Sequence, residues 1–201
     1  MLEAADLECA RGGRTLFRGL SFALKAGELL RVAGANGRGK TSLLRILCGL
    51  LSPQAGEVRW NGSPIRSLKE EYAKQLVYLG HAPAVKDELT AAENLSIACR
   101  MAGNRTKHGE IAQALERLGV PAASFLRKLS QGQRRRAALA RLALSRTVPL
   151  WLLDEPLAAL DSQAVRLVEG LIAEHVAQGG AVAYTTHQEP RIEGRVISLD
   201  A

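Results

Sequence analysis

A glycine-rich octapeptide between two apolar segments places the tightest constraint on how this chain can fold. It follows the apolar residues 29–33 and reads Gly34-Ala35-Asn36-Gly37-Arg38-Gly39-Lys40-Thr41. It matches G-x-x-x-x-G-K-[ST], a pattern whose glycines let successive backbone N–H groups turn inward towards a phosphate. The pattern binds phosphate only where a strand leads into it and a helix leads out, with the positive helix end behind the loop. We therefore predict a strand over 29–33 and a helix from Lys40.

The residues of this loop have different predicted tasks. Lys40 is expected to reach the β- and γ-phosphates of a nucleotide, and the Thr41 hydroxyl is expected to bind Mg²⁺. The rest of the predicted nucleotide-binding segment supplies mainly backbone groups and consists of Gly34, Ala35, Asn36, Gly37, Arg38, Gly39 and Ser42.

An acidic pair forms the second predicted site element. The apolar run 150–153 ends on Asp154 and Glu155. In an open parallel sheet, ligands collect at the carboxyl ends of the strands. Asp154 is therefore expected to hold Mg²⁺ through water, and Glu155 to orient or deprotonate an attacking water. The alternative is an ordinary strand end with two solvated acids.

The apolar pattern alternates between strand-like and helix-like segments, which indicates an α/β fold. Residues 90–144 have a helical pattern, whereas the last third returns to a buried strand over 150–153, a helix over 164–178 and further strands. We predict one domain over 1–201 with a mainly parallel sheet, an antiparallel β portion and an inserted helical subdomain. The predicted boundaries are 1–84 and 147–201 for the core and 85–146 for the subdomain.

The net charge of +7 comes from one segment. Residues 127–146 contain no acid and seven basic residues, namely Arg127, Lys128, Arg134, Arg135, Arg136, Arg141 and Arg146. Removing these seven from the 27 basic residues leaves 20 against 20 acidic ones. Because a cluster of positive charge can bind nucleic acid, a nucleic-acid-binding ATPase is one hypothesis. Most of these side chains are expected on solvated or interface surfaces.

A third motif lies between the loop and the acidic pair. Leu129-Ser130-Gln131-Gly132-Gln133 resembles the signature motif of ATP-binding cassette (ABC) proteins. Its Ser130-x-x-Gln133 spacing has the form of a capping box, so Ser130 is predicted to begin a helix and a second anion site. The resemblance implies a cassette of the P-loop NTPase type that binds ATP and Mg²⁺. It also implies a head-to-tail dimer, with Ser130, Gly132 and Gln133 against the ATP of the other copy.

Two later segments extend the resemblance to most of the chain. Ala159-Leu160-Asp161 is similar to the D-loop, which crosses the dimer interface of these proteins. Thr185-Thr186-His187 is similar to the segment of the switch histidine, so His187 is implied as a catalytic residue near the γ-phosphate. His108 and His175 have no such context and are expected at the surface.

Two positions depart from the general pattern of the family. Arg11 stands where an aromatic residue usually stacks on adenine, although a guanidinium can also stack on a base. His81 stands in the loop that normally carries a metal-contacting glutamine. His81 is therefore either a ligand that reaches Mg²⁺ through water or a plain loop histidine.

Among ABC proteins, the chain most resembles the haem exporter ATPase subunits of cytochrome c biogenesis, the CcmA family. The resemblance rests on Gly80-His81, on Glu93-Asn94-Leu95 and on Thr185-Thr186-His187-Gln188. It implies ATP hydrolysis coupled to haem export or haem-chaperone release, at the cytoplasmic face of the bacterial inner membrane. Because no run of about 20 apolar residues occurs, the transporter's integral membrane subunits must be separate chains. We expect no nucleic-acid partner and no direct haem binding; the ATPase of another importer or exporter is the main alternative.

Overall fold

The computed structural model describes residues 1–104, 106–187 and 190–200, which group into two compact units. The first unit comprises Met1–His81, Val148–Pro156 and Ala173–Ala201, and the second comprises Ala82–Thr147 and Leu157–Ile172. The second unit thus includes a segment that the predicted boundaries assign to the core. Within this unit, the Ala159 carbonyl oxygen lies 3.1 Å from where a Cβ of Gly132 would stand.

The elements follow the α/β order that the sequence predicts. The strands are β1 (Leu2–Arg11), β2 (Arg14–Leu24), β3 (Leu29–Ala33), β4 (Ala55–Trp60), β5 (Ser63–Pro64), β6 (Leu76–Leu79), β7 (Leu150–Leu153), β8 (Ala181–Thr185) and β9 (Arg195–Ser198). The helices are α1 (Lys40–Leu47), α2 (Ile65–Leu68), α3 (Glu70–Ala73), α4 (Ala91–Met101), α5 (His108–Arg117), α6 (Gln131–Ala143) and α7 (Ser162–Ala177).

The strands form two sheets, both in the first unit. One sheet is antiparallel with the order β2-β1-β4-β5, and the other is parallel with the order β6-β7-β8-β3-β9. This arrangement confirms the predicted α/β class with a parallel core and an antiparallel portion. Every residue of β7 and β8 is buried, as expected for central strands that are covered on both faces.

Strand β1 is an element that the sequence analysis did not predict. Its inward side chains include Leu2, Ala4, Leu7 and Cys9, so the alternation of buried residues changes phase between Ala4 and Leu7. The pairing register with β2 shifts at the same place, and Asp6 adopts a positive φ of 48°. A bulge of this kind conceals the period-2 pattern on which strand prediction depends.

Helix α1 lies in the core between the two sheets of the first unit. Leu43, Leu44, Ile46 and Leu47 are buried in one cluster with apolar residues of β1 and β7. The helix ends at Leu47, although the apolar residues Leu50 and Leu51 follow. Gly49 adopts a φ of 79°, and a left-handed glycine just past a helix ends it even where the following residues stay apolar.

His175 is buried, contrary to the prediction that it lies at the surface. Only 2% of its surface is exposed, and its ring stacks on Trp151 with the centroids 3.8 Å apart and the planes 2° from parallel. The ring of a histidine packs in a core much as a small aromatic residue does. His108, at the start of α5, is exposed as predicted.

The second unit contains α4, α5 and α6, which pack against one another. Their shared core contains Leu95, Cys99, Ile111, Leu115, Leu139 and Leu142. In the basic segment 127–146, Arg127, Lys128 and Arg146 are exposed as predicted, whereas Arg135 is only 5% exposed. Arg134 pairs with Asp87 at 3.1 Å. In the ranges that the structure describes, no helix has the length and apolar character to cross a membrane.

Candidate nucleotide site

The glycine-rich loop connects β3 to α1, in the strand–loop–helix context that the motif requires. Gly37 and Gly39 have φ values of 80° and 98°, a region that side chains with a Cβ rarely adopt. A Cβ at Gly39 would also stand 3.0 Å from the Cβ of Leu16. The loop therefore needs glycine at both positions, which leaves its backbone open to an approaching phosphate.

Lys40 is held inside the curve of the loop. Its side chain is buried, and its ammonium group donates to the Gly34 carbonyl oxygen at 2.6 Å and to the Ala35 carbonyl oxygen at 3.1 Å. These contacts place a positive charge next to the N–H groups at the start of α1. A group with several negatively charged oxygens would meet both the charge and the backbone donors there.

A network of hydroxyls and acids lies at the carboxyl ends of β7 and β8. The Thr41 hydroxyl donates to Asp154 Oδ1 at 3.2 Å, and the Thr185 hydroxyl donates to the same oxygen at 2.9 Å. The Glu155 N–H donates to the Thr185 oxygen at 2.8 Å. Leu153 pairs with Tyr184 in the sheet, so Asp154 and Thr185 are side by side. The structure thus brings Thr41, Asp154 and Glu155 together, as the sequence predicts.

Glu155 and His187 form an ion-pair geometry next to this network. His187 Nε2 lies 3.2 Å from Glu155 Oε1, and the His187 N–H donates to Glu155 Oε2 at 3.2 Å. The Glu155 side chain is 11% exposed and that of His187 is 53% exposed. Glu155 has a φ of 52°, a backbone conformation that few non-glycine residues adopt.

The residues beside the loop suit a divalent cation with oxygen ligands. Thr41 and Asp154 offer a hydroxyl and a carboxylate, the donors that Mg²⁺ prefers. No group of three or more His, Cys, Asp or Glu with metal-binding placement occurs in the described part of the chain. Mg²⁺ is usually bound by one or two side chains together with substrate phosphates, and Thr41 with Asp154 fits that kind of site.

Tyr78 on β6 reports the electrostatics near the acids. Burial raises the pKa of its hydroxyl, a hydrogen bond with Arg45 opposes that rise, and the negative charge of Asp154 adds to it. The phenol therefore stays protonated across the neutral range and remains a hydrogen-bond donor.

His81 and Arg11 occupy exposed positions in the first unit. His81 follows β6 by two residues, and Arg11 is the last residue of β1, where it pairs with Arg14 of β2. Gln188 lies outside the described residues. The role of His81 towards Mg²⁺ and that of Arg11 towards a base stay predictions.

The signature segment starts α6 in the second unit. The Ser130 hydroxyl accepts from the Gln133 N–H at 3.2 Å, and Gln133 Oε1 accepts from the Ser130 N–H at 2.9 Å. This confirms the predicted capping box. Gly132 leaves room for the Ala159 carbonyl, because a Cβ would stand only 3.1 Å from that oxygen. Ala159 itself has a φ of 60°.

Thr185 and Asp200 contact the site, although neither is predicted from the sequence as a site residue. Thr185 joins the two acids, and a signal for it existed, since it belongs to the Thr185-Thr186-His187 segment on which the family resemblance rests. Asp200 accepts from the Ala35 N–H at 3.0 Å. No local pattern points to Asp200, because it lies 165 residues from its partner.

Comparisons with known proteins agree with this geometry. A family model described as ABC transporter matches residues 17–158. The cytochrome c biogenesis ATP-binding export protein CcmA of Nitrosospira multiformis is 52% identical over 198 residues, which cover 98% of this chain and 96% of that protein. The CcmA of Escherichia coli K12 is 48% identical over 193 residues, covering 94% and 89%.

Solved structures show the same fold. A putative ABC transporter ATP-binding protein from Pyrococcus furiosus has a TM-score of 0.86 and 27% identity, with 98% of this chain and 96% of that chain covered. A dimeric ATP-binding cassette bound to ADP and Pi has a TM-score of 0.86 and 23% identity, covering 100% and 94%. With the loop, the acidic pair and the capped signature helix in place, the chain belongs to the ABC transporter family and, within it, to the CcmA family.

Proposed function

We propose that this chain is the ATP-hydrolysing subunit of a transporter complex that exports haem, or releases a haem chaperone, in cytochrome c maturation. The observation that carries the proposal is the placement of Glu155 and His187 beside Thr41, Asp154 and the phosphate loop. That placement supports hydrolysis rather than nucleotide binding alone. The names of the CcmA relatives support the assignment to cytochrome c biogenesis.

Binding of ATP adds phosphate to the contacts of the loop. An ammonium group has three N–H donors, so Lys40 keeps its bonds to the Gly34 and Ala35 carbonyl oxygens and donates the third to a phosphate oxygen. The N–H groups at the start of α1 donate to the same phosphate group. Thr41 and Asp154 hold Mg²⁺. When bound, Mg²⁺ neutralises charge on the phosphates.

Hydrolysis needs a base for the attacking water, and the contacts of Glu155 support that role. Its carboxylate is nearly buried and is oriented by two contacts from His187, one from the ring and one from the backbone. A carboxylate held in this way accepts the proton of a water that attacks the γ-phosphate in line. His187 keeps the Glu155 carboxylate in this orientation through its ring Nε2 and its backbone N–H.

The partners in this proposal are a second copy of the chain and integral membrane subunits. Ser130 and Gly132 of each copy contact the ATP that the other copy binds, as the family resemblance implies. The membrane subunits hold the complex at the cytoplasmic face of the inner membrane and carry any haem contact. The ATPase of another importer or exporter would have the same site and would differ in these partners.

Glu155→Gln tests the catalytic part of the proposal. The amide cannot take up the water proton, so we expect ATP turnover to fall by about 10²–10⁴-fold with ATP binding retained. Steady-state phosphate release and equilibrium binding of ATP measure the two effects. Glu88→Gln, at an exposed position of the second unit, is the matched control and should keep wild-type turnover. Wild-type turnover in Glu155→Gln would contradict the base assignment.

Complementation tests the transport assignment. In a bacterial strain that lacks its own CcmA, we expect the wild-type chain to restore c-type cytochromes and Glu155→Gln to fail. Haem staining of membrane proteins measures the result. The contrary result is a chain that hydrolyses ATP, restores no c-type cytochrome and co-purifies with unrelated membrane subunits. That result would favour the ATPase of another importer or exporter.

A further inference from the structure

The carboxylate of Asp200 contacts the phosphate loop at its beginning. Both of its oxygens accept from the Ala35 N–H, at 3.0 and 3.2 Å, and Oδ1 lies 3.4 Å from Arg38 Nε. The preceding residue fixes this approach, because the Leu199 N–H donates to the Ala33 carbonyl at 2.9 Å and Leu199 is buried. Asp200 thus extends the parallel pairing of β9 with β3 into the loop.

One peptide unit of the loop is held at both ends by charged side chains. The carbonyl of Gly34 accepts from Lys40, while the N–H of the same peptide, that of Ala35, donates to Asp200. A peptide plane that is fixed at its N–H cannot rotate its carbonyl away without breaking the second bond. Asp200 therefore acts on the position of Lys40 through a single planar group.

The space around Gly34 supports the same conclusion. Gly34 has a φ of 149°, and a Cβ there would stand 3.4 Å from Leu199 Cβ and 3.6 Å from Asp200 Oδ1. The segment 199–200 therefore packs directly against the residue at which the chain turns from β3 into the loop. Leu199 supplies the packing, and Asp200 supplies the polar contact.

We propose that Asp200 is a positioning residue that fixes the Gly34–Ala35 peptide and thereby holds Lys40 in place for the phosphates of ATP. This inference rests on the proposed function only where it concerns ATP. Its structural part concerns the protein without nucleotide. Neither the loop motif nor the acidic pair includes this residue, and its effect is expected on binding rather than on the chemical step.

Amide hydrogen exchange of the nucleotide-free protein tests the structural part. In Asp200→Ala, we expect exchange in the segment 29–41 to become about fivefold faster, the ratio for losing one solvent-accessible hydrogen bond. Asp200→Asn keeps an acceptor oxygen and should stay within about twofold of wild type. Glu57→Gln, which alters an exposed acid paired with Arg59 elsewhere in the first unit, is the control. Unchanged exchange in Asp200→Ala would overturn the proposal.

Kinetics with Mg-ATP test the consequence. We expect the KM and the dissociation constant for ATP to rise about fivefold in Asp200→Ala, with kcat within about twofold and with rescue by Asp200→Asn. An equal fall of kcat and kcat/KM, or an unchanged KM, would overturn the role in binding. If the wild-type protein hydrolyses no ATP, the proposed function fails, while the exchange experiment still decides whether Asp200 fixes the loop.

Discussion

At the scale of single residues, Thr185 connects the two acids of the site. Its hydroxyl donates to Asp154 and accepts from the Glu155 N–H, and the residue is completely buried. Thr185→Val keeps the shape but removes both bonds, which leaves the Glu155 N–H in an apolar place. We expect a loss of about 1–3 kcal/mol of unfolding free energy and a clear fall in kcat. Thermal denaturation and steady-state ATPase assays measure the two effects.

Thr185→Ser separates the hydroxyl from the methyl group. Serine keeps the donor and the acceptor, so we expect its kcat to stay near that of wild type with a smaller loss of stability from the missing methyl. Equal kcat values for Thr185→Val and wild type would show that this hydroxyl does not position the acids.

Individual site residues were predictable to different degrees. The loop and the acidic pair follow from local motifs, because backbone cradling of phosphate and carboxylate binding of Mg²⁺ each need a short, fixed residue pattern. Asp200 follows from no pattern, since its contact with Ala35 depends on β9 lying next to β3. His175 was misplaced because a histidine in a helix does not by its type reveal whether it faces an aromatic ring such as Trp151.

At the scale of elements, the turn between α7 and β8 depends on a glycine. A Cβ at Gly180 would stand 2.1 Å from Nε2 of the buried His175 ring, which is itself stacked on Trp151. Gly180→Ala must therefore displace a packed ring. We expect unfolding free energy to fall by about 3 kcal/mol, the upper end for overpacking, as measured by chemical denaturation.

Gly170→Ala provides the matched control for this substitution. Gly170 lies within α7, and a Cβ there would have no neighbour within 4 Å. Alanine is favoured over glycine in a helix by about 1 kcal/mol, so we expect this variant to be more stable than wild type. If Gly180→Ala and Gly170→Ala change the free energy of unfolding in the same direction, contact with the His175 ring is not the reason for glycine at position 180.

The predictability of elements follows the strength of their apolar pattern. The uniform burial of β7 and β8 corresponds to unbroken apolar runs in the sequence, so these strands were predicted. The bulge of β1 interrupts its alternation, and the end of α1 depends on the φ of Gly49 rather than on polarity. Strand order was not predictable from local pattern at all, because it is decided by contacts between distant segments.

At the scale of the whole molecule, the clustered positive charge does not form one exposed surface. Arg135 is buried, Arg134 pairs with Asp87, and Arg136 donates to the Leu118 carbonyl at 3.0 Å. These arginines therefore stabilise the second unit from within. A nucleic-acid surface would need them extended towards phosphates. The contacts accordingly favour a structural role for these three arginines, whereas Arg127, Lys128 and Arg146 of the same segment are exposed.

The proposed dimer makes a further demand on the molecule, because Ser130 would serve the ATP of another copy. In Glu155→Gln, which retains ATP, we expect Mg-ATP to convert the protein from monomer to dimer, as measured by light scattering after size-exclusion chromatography. Adding Ser130→Ala should reduce the dimer fraction, since it removes a hydroxyl that the proposed dimer places against the ATP of the other copy.

Thr90 offers a matched control for the loss of the helix cap itself. Thr90 caps α4 with the same capping box, and its hydroxyl accepts from the Glu93 N–H at 3.2 Å, the distance found between Ser130 and Gln133. Both Thr90→Ala and Ser130→Ala should cost about 1 kcal/mol of stability. Only Ser130→Ala should weaken the ATP-dependent dimer of Glu155→Gln. Equal dimer fractions in the two double variants would contradict the role of Ser130 across the interface and leave it as a helix cap, because loss of a cap alone acts on both helices alike.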